Sequence, residues 1–363
     1  MPNLPLLCQF IDGVVNVPVD PLGELLAERS PLSARDRIAK EKVLILTKDY
    51  DPEANLVGIN LRSRGIDFVR LNVNDVPHKF RIIYSVTPES HAGIKISIGN
   101  QVLEASEIQV ILLRYFDIQE MNYSSFDEPA RTFSLQQWED AFQILQNNIY
   151  CQWISDPYAS MKAADRIKQL LTARELSLAI PATLITNDAG EARDFYHSLS
   201  GNVVLKAIHH HSIEANGKVY YMFTHELLDN ELARFDDLVH APCILQEKIT
   251  KKHDLRVTVV GTKVFATQID SLRNNNGHID LHRCDLAQLG FKTKELDDAT
   301  HKACVEFIKA LGLRYGAIDF VVDQKNDQPI FLELNPTGDW YWIERKTGQS
   351  ITKSMVDLIE ELF

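Results

Sequence analysis

The spacing of apolar side chains changes several times along the chain, and each change marks an element. From residue 41 the run "KVLILT" (42–47) is apolar throughout, as a strand buried on both faces requires. Residues 53–64 return to a helical period, and "IDFVRLN" (66–72) is extended again, so 42–72 reads as a β-α-β unit. Two further strand-like stretches, "RIIYSV" (81–86) and "GIKISIG" (93–99), lead to "IQVILLRYF" (108–116), a buried strand with Arg114 at its end. No G-x-G-x-x-G follows Thr47, which argues against a dinucleotide site.

Two helices are predicted next. Ser134 and Gln137 form a capping box ahead of Leu135, Trp138, Phe142, Leu145 and Ile149 at spacings of three and four. Met161, Ala164, Ile167, Leu171 and Leu176 repeat that spacing until Pro181 stops it, placing a domain boundary near Ile180. Beyond it the pattern gives the strand "IPATLIT" (180–186), a helix over 188–199, a hairpin of "NVVLKAIHHH" and "GKVYYMFTHE" around "IEANG", and the strand "CILQEKI" (243–249). Strand, helix, hairpin and strand make a small α+β module. The expected organisation is a Pro-rich extension 1–40, an α/β domain with linking helices 41–180, a central module 181–247 and a carboxyl-terminal module 248–363.

The stretch "GAIDFVVDQKNDQPIFLELNPTGDWYW" (316–342) poses a chemical question. Residues 317–322 and 329–334 read as two strands joined by a polar turn, and that register sets Asp319 and Glu333 side by side on one face. Adjacent carboxylates repel unless a cation lies between them; a solvated surface hairpin is the alternative.

Composition narrows the classes. With 50 acidic against 38 basic side chains the net charge is −12, which disfavours nonspecific nucleic-acid or anionic-membrane binding. The five cysteines are widely spread with no C-x-x-C pair, so reduced thiols rather than a zinc or redox site are expected. No basic signal segment opens the chain and no apolar run approaches the ~20 residues of a membrane span, so a soluble cytoplasmic protein is expected.

The order of Lys206 on a strand, the extended "QEKI", "DLRVTVVG", "DFVV" and "FLELNP" resembles the ATP-grasp fold. The stretches "LRVTVVGTKVFATQID" and "ELNPTGDWYWIE" look more narrowly like the graspetide, or microviridin-type, ligases that cyclise ribosomally made peptides. This resemblance implies a fold combining α/β and α+β modules, with ATP between the central and carboxyl-terminal ones. It implies ATP and Mg²⁺ as cofactors, and as partner a precursor peptide with a leader segment; it also admits a homodimer. The reaction implied is phosphorylation of an Asp or Glu side chain, then attack by a hydroxyl or amine to give an ester or amide crosslink. Two other readings stay open: a ligase adding an amino acid to a protein tail or small metabolite, and a nucleotide-binding regulatory relative without turnover.

A phosphoryl-transfer site needs oxygen ligands for Mg²⁺ and nearby cations. Asp319, Glu333 and Asn335 supply the oxygens, Asn335 sharing the strand face of Glu333. Lys206 would face the α-phosphate or adenine edge; an edge-strand lysine is the plainer alternative. The family's usual basic residue, a lysine early in the preceding helix, is matched by Arg166, with Lys162 and Lys168 nearby. Gln246, Glu247, Lys248 and Ile249 form the hinge that would present backbone groups to adenine, and Asp254 is the expected ribose acceptor. Arg256, two residues on, would stabilise the transferring phosphoryl, or else form a structural ion pair with Asp254. In the polar loop "DSLRNNNGHIDLHRCD" (270–285) the resemblance points to Asp280 and to His282 or Arg283, of which Arg283 is taken as catalytic. The hairpin 203–224 is the expected leader surface, with Tyr220, Met222 and Thr224 alternating against Val219, Tyr221 and Phe223, and His209 and His211 nearby.

Overall fold

A computed structural model describes residues 41–88, 90–121, 126–208, 212–215, 218–221, 223–273 and 289–363. The chain divides into two compact units, one holding the residues up to Ile154 together with Val356–Phe363, the other Ser155–Met355.

The first unit opens with β1 (Lys42–Thr47), α1 (Pro52–Ser63) and β2 (Phe68–Asn72), the predicted β-α-β unit. Asp51 caps α1 by accepting from the Ala54 amide, so the helix starts one residue earlier than its apolar period shows. The antiparallel strands β3 (Phe80–Thr87), β4 (Ser90–Ile98) and β5 (Gln101–Glu104) follow, then β6 (Ile108–Leu113), α2 (Glu128–Asn148) and β7 (Gln152–Ile154). The second sheet is parallel with order β2-β1-β6-β7. The run of apolar residues in β1 is explained by this central position: Val43 to Leu46 are all buried. Leu44, Leu71, Phe80, Ile96, Leu135, Phe142 and Leu145 close the core, with Phe80 stacked on Phe142 at 5.4 Å. The capping box expected at Ser134 lies inside α2; Asp127 is the true cap, accepting from the Ala130 amide, with Pro129 in the first turn.

The second unit begins with two short helices, α3 (Pro157–Ala163) and α4 (Arg166–Glu175). A single helix was expected here. Asp165 instead caps the amides of Ile167 and Lys168 and restarts the helix in a new phase. As a result Met161, Ile167 and Leu171 are exposed, and Ala163, Leu170 and Ala173 form the buried stripe.

Next come β8 (Thr183–Thr186), α5 (Ala189–Ser198), β9 (Val203–Lys206), β10 (Ser212–Ala215), β11 (Lys218–Tyr221), β12 (His225–Glu226) and β13 (Cys243–Glu247). The sheet order is β12-β9-β13-β8, packed on Ala192 and Tyr196 of α5, while β10 and β11 pair separately. The hairpin is present, but Ile213 to Ala215, expected in its turn, are strand, and Ala215 pairs with Lys218.

The last sheet has order β16-β15-β14-β17-β18, from β14 (Lys251–Val260), β15 (Lys263–Asp270), β16 (Gly290–Lys294), β17 (Tyr315–Asp323) and β18 (Pro329–Asn335). Its core face packs against α6 (Asp298–Ala310) through Leu255, Val257, Val259, Ile318, Phe320, Phe331, Cys304 and Phe307. Helices α7 (Tyr341–Thr347) and α8 (Ile351–Glu361) end the chain, α8 contributing to both units. Among the described residues no helix is long and apolar enough to cross a membrane. Cys151, Cys243 and Cys304 are free thiols, as expected, and burial pushes Cys151 and Cys304 up to about 12.

Candidate active site

Strand alternation builds the site. On β14, Leu255, Val257 and Val259 enter the core, which turns Asp254, Arg256 and Thr258 to the opposite face. Arg256 lies across the ladder from Asp319 of β17, and Asp319 from Glu333 of β18, as the hairpin reading required. The Arg256 guanidinium donates through one nitrogen, Nη1, to both Asp319 oxygens at 2.8 and 2.7 Å. Asn335 Nδ2 donates to Asp319 Oδ2 at 2.9 Å and reaches Glu333 Oε1 at 3.4 Å. Arg166, the first residue of α4, lies 3.1 Å from Glu333 Oε2.

Burial disfavours the Arg256 charge, but the Asp319 carboxylate outweighs it and holds the guanidinium above the usual arginine range. Arg256 is therefore a fixed cation. Its Nη2 also donates to the Asp339 carbonyl at 3.4 Å.

Two residues that the sequence reading passed over keep this cluster in place. Buried Gln169 accepts from the Leu334 amide at 2.9 Å and donates to the Leu334 and Ala163 carbonyls at 3.1 and 2.6 Å. It thus joins the start of α4 to β18 and brings Arg166 beside Glu333. A glutamine within an apolar stripe was the available signal. Gly338 lies under Arg256: a Cβ there would come 2.5 Å from Arg256 Nη2 and 2.7 Å from Ala317 Cβ.

Lys206 and the hinge residues form a second group on and just past the β12-β9-β13-β8 sheet. Lys206 Nζ donates to Gln246 Oε1 at 2.7 Å, and Gln246 Nε2 to Thr183 Oγ1 at 3.0 Å. Glu247 accepts from the Ala182 amide at 3.2 Å, Lys248 pairs with Glu226, and Ile249 is half-buried just past β13. Asp254 does not pair with Arg256. Both its oxygens accept from buried Lys251 at 2.8 Å, and one also from Ser271. A β-bulge between Lys251 and His253 gives Lys251 this aim, which simple alternation from Asp254 would not show. Arg283, Asp280, His282 and His209 to His211 lie outside the described residues.

The donor chemistry fits a hard cation. Two carboxylates and, with its amide turned half over, the Asn335 oxygen form an all-oxygen set of the kind that holds Mg²⁺ jointly with phosphates and water. Among the described residues no cluster of three or more His, Cys, Asp or Glu converges, so a transition-metal site of that kind is not formed there.

Comparison with known proteins shows what the chain as a whole is similar to. "Probable alpha-L-glutamate ligase 1" of Shewanella sp. (strain ANA-3) is 26% identical over 211 residues, covering 57% of this chain and 67% of the relative. The Chryseobacterium gregarium RiPP-associated ATP-grasp ligase, solved with ADP and a leader and core peptide, superposes with a TM-score of 0.81 at 24% identity, over 88% of this chain and 97% of that one. The macrocyclase MdnC of Microcystis aeruginosa MRC, bound with precursor peptide MdnA, gives 0.78 at 24%, over 88% and 99%. At such identity these two establish a shared fold, the ATP-grasp fold. The model of the RimK-like ATP-grasp domain matches residues 163–359, more than half of the sequence, and the chain belongs to that family.

Proposed function

We propose that this ATP-grasp ligase activates Asp or Glu side chains of a precursor peptide as acyl phosphates and joins them to side-chain hydroxyls or amines of the same peptide. The observation that carries the ligase reading is the convergence of Arg256, Arg166, Asp319, Glu333 and Asn335 on the face of the five-stranded sheet opposite its core. Two further facts support the peptide. The solved ligases that share the fold hold leader and core or precursor peptides, and their likeness runs over 88% of the chain against 57% for the glutamate-ligase relative.

In the proposed reaction a substrate carboxylate oxygen attacks the γ-phosphorus of ATP, the bond to the bridging oxygen breaks, and ADP leaves with its electron pair. A hydroxyl or amine of the same peptide then attacks the acyl carbon, losing its proton to solvent or a base, and inorganic phosphate departs. Arg256 provides a fixed positive charge close to where the equatorial oxygens gain charge. Lys206 neutralises phosphate from the central module, and the backbone of Gln246 to Ile249 offers adenine its hydrogen bonds. Mg²⁺ held by Asp319, Glu333 and Asn335 would supply charge neutralisation for the β- and γ-phosphates. Asp254 takes the ribose through the acceptor capacity left beside Lys251 and Ser271, and Arg283 completes the catalytic set.

The second reading, transfer of an amino acid such as glutamate to an acceptor, rests on the glutamate-ligase match. Mass spectrometry of a candidate peptide incubated with ATP separates the two. Loss of one water per ATP consumed supports a crosslink, whereas a gain of one glutamyl residue when free glutamate is added supports transfer.

A further inference from the structure

Each arginine in the cluster sits where a divalent ion would bind. Arg256 engages both oxygens of Asp319, and Arg166 lies 3.1 Å from the Glu333 carboxylate. The Asn335 amide turns its NH₂ to both acids. In this arrangement the protein satisfies the two carboxylates with its own donors, and a cation approaching Glu333 meets a guanidinium already there.

The two arginines differ in how firmly they are held. Arg256 is 10% exposed, bonded on a strand and backed by the chain at Gly338 and Asp339. Arg166 is 27% exposed and stands at the first position of α4, where the helix dipole disfavours a positive charge. Its other contact, to Gln169 Oε1, is long at 3.4 Å. Arg166 is the arginine that can leave.

Building on the reading of Asp319, Glu333 and Asn335 as metal ligands, we propose that Arg166 is a place-holding cation. In the nucleotide-free chain it occupies Glu333. It moves to the nucleotide phosphates when they arrive and so opens Glu333 to the metal. Metal and nucleotide then bind cooperatively, and the bare enzyme takes up free divalent ion poorly.

Mn²⁺ titration of the full chain, with free ion counted by electron paramagnetic resonance, tests this without turnover. Nucleotide-free Arg166→Met and Arg166→Gln should bind Mn²⁺ more tightly than wild type by up to about fivefold, the effect of removing one competing, like-charged partner. The gain should vanish when Glu333→Gln is added, and the affinities should converge once a non-hydrolysable ATP analogue is saturating. Equal nucleotide-free affinities in wild type and both variants, or no binding in any, would overturn the proposal. The metal reading fails by a separate sign: Glu333→Gln leaving Mn²⁺ binding unchanged in the analogue-saturated wild-type background.

Discussion

The chain builds two clusters of arginine with acids, one in each unit, from nearly the same chemical groups. In the first, Arg114 lies 3.2 Å from Asp51 and 3.4 Å from Glu53, with side chains 1%, 0% and 2% exposed. In the second, Arg256 and Asp319 are 10% and 26% exposed, Arg166 and Glu333 27% and 29%. The first cluster is sealed. Asp51 also accepts from Thr47 Oγ1 and the Ala54 amide, so its acceptor capacity serves the end of β1 and the start of α1. Burial acts to raise the Asp51 carboxyl, but the Arg114 charge and these hydrogen bonds outweigh it and hold it below the usual value. The second cluster is partly open to solvent, and of its two arginines the one on Glu333 is held the less firmly. Charge pairs alone therefore do not mark a site; access does.

The largest contrast is expected in turnover. Glu333→Gln and Asp319→Asn each remove one ligand charge while keeping shape, and should lower ATP turnover by about a thousandfold or more, with the thermal midpoint nearly unchanged in Glu333→Gln and lowered in Asp319→Asn, which leaves buried Arg256 without its carboxylate. Turnover within a few-fold of wild type in either variant would remove the metal assignment.

Arg114→Met should do the reverse, leaving two acids buried without their cation and costing about 3–5 kcal/mol of stability. The pH dependence sharpens this. Because the folded Asp51 carboxyl is depressed, its contribution is present above the unfolded value near 3.8 and is lost as pH falls through the folded one. Without Arg114 the buried acids favour protonation, so urea unfolding at about pH 3 against about pH 7 should show wild type losing stability and the variant gaining it. A variant as stable as wild type at neutral pH would mean the sealed cluster is not structural.

A smaller effect is expected from Gly338→Ala. Ala317 cannot yield to the new Cβ, so the Arg256 guanidinium must shift, and kcat should fall about tenfold to a hundredfold with the KM for ATP little changed. An equal rise in KM would instead point to a disturbed nucleotide pocket.

How much of this was legible in the sequence follows from the range of each interaction. Asp319 opposite Glu333, and Asn335 beside them, come from a period of two across one short hairpin, so a local pattern sufficed. The buried strands β1 and β6 were equally readable from their nearly continuous apolar runs, whereas the short edge strand β7 was not read at all. Arg114 with Asp51 joins residues 63 apart through tertiary packing, and nothing local at "LLRYF" announces it. The break between α3 and α4 was hidden because Asp165 competes with an apolar period that continues across it. That phase change is also what gives Arg166 its place beside Glu333. Asp254 shows the other limit, since a bulge brought Lys251 to it and left the i, i+2 pairing with Arg256 unmade.

The central claim is that the open cluster transfers phosphate to a carboxylate. Hydroxylamine added during turnover with ATP and a precursor peptide tests it most directly, because it attacks an acyl phosphate and leaves a hydroxamate that mass spectrometry locates. A hydroxamate on an Asp or Glu of the peptide, absent without ATP and absent in Glu333→Gln, is the predicted result. A stable phosphoester on a Ser or Thr hydroxyl, with no hydroxamate, would contradict it and make the protein a kinase.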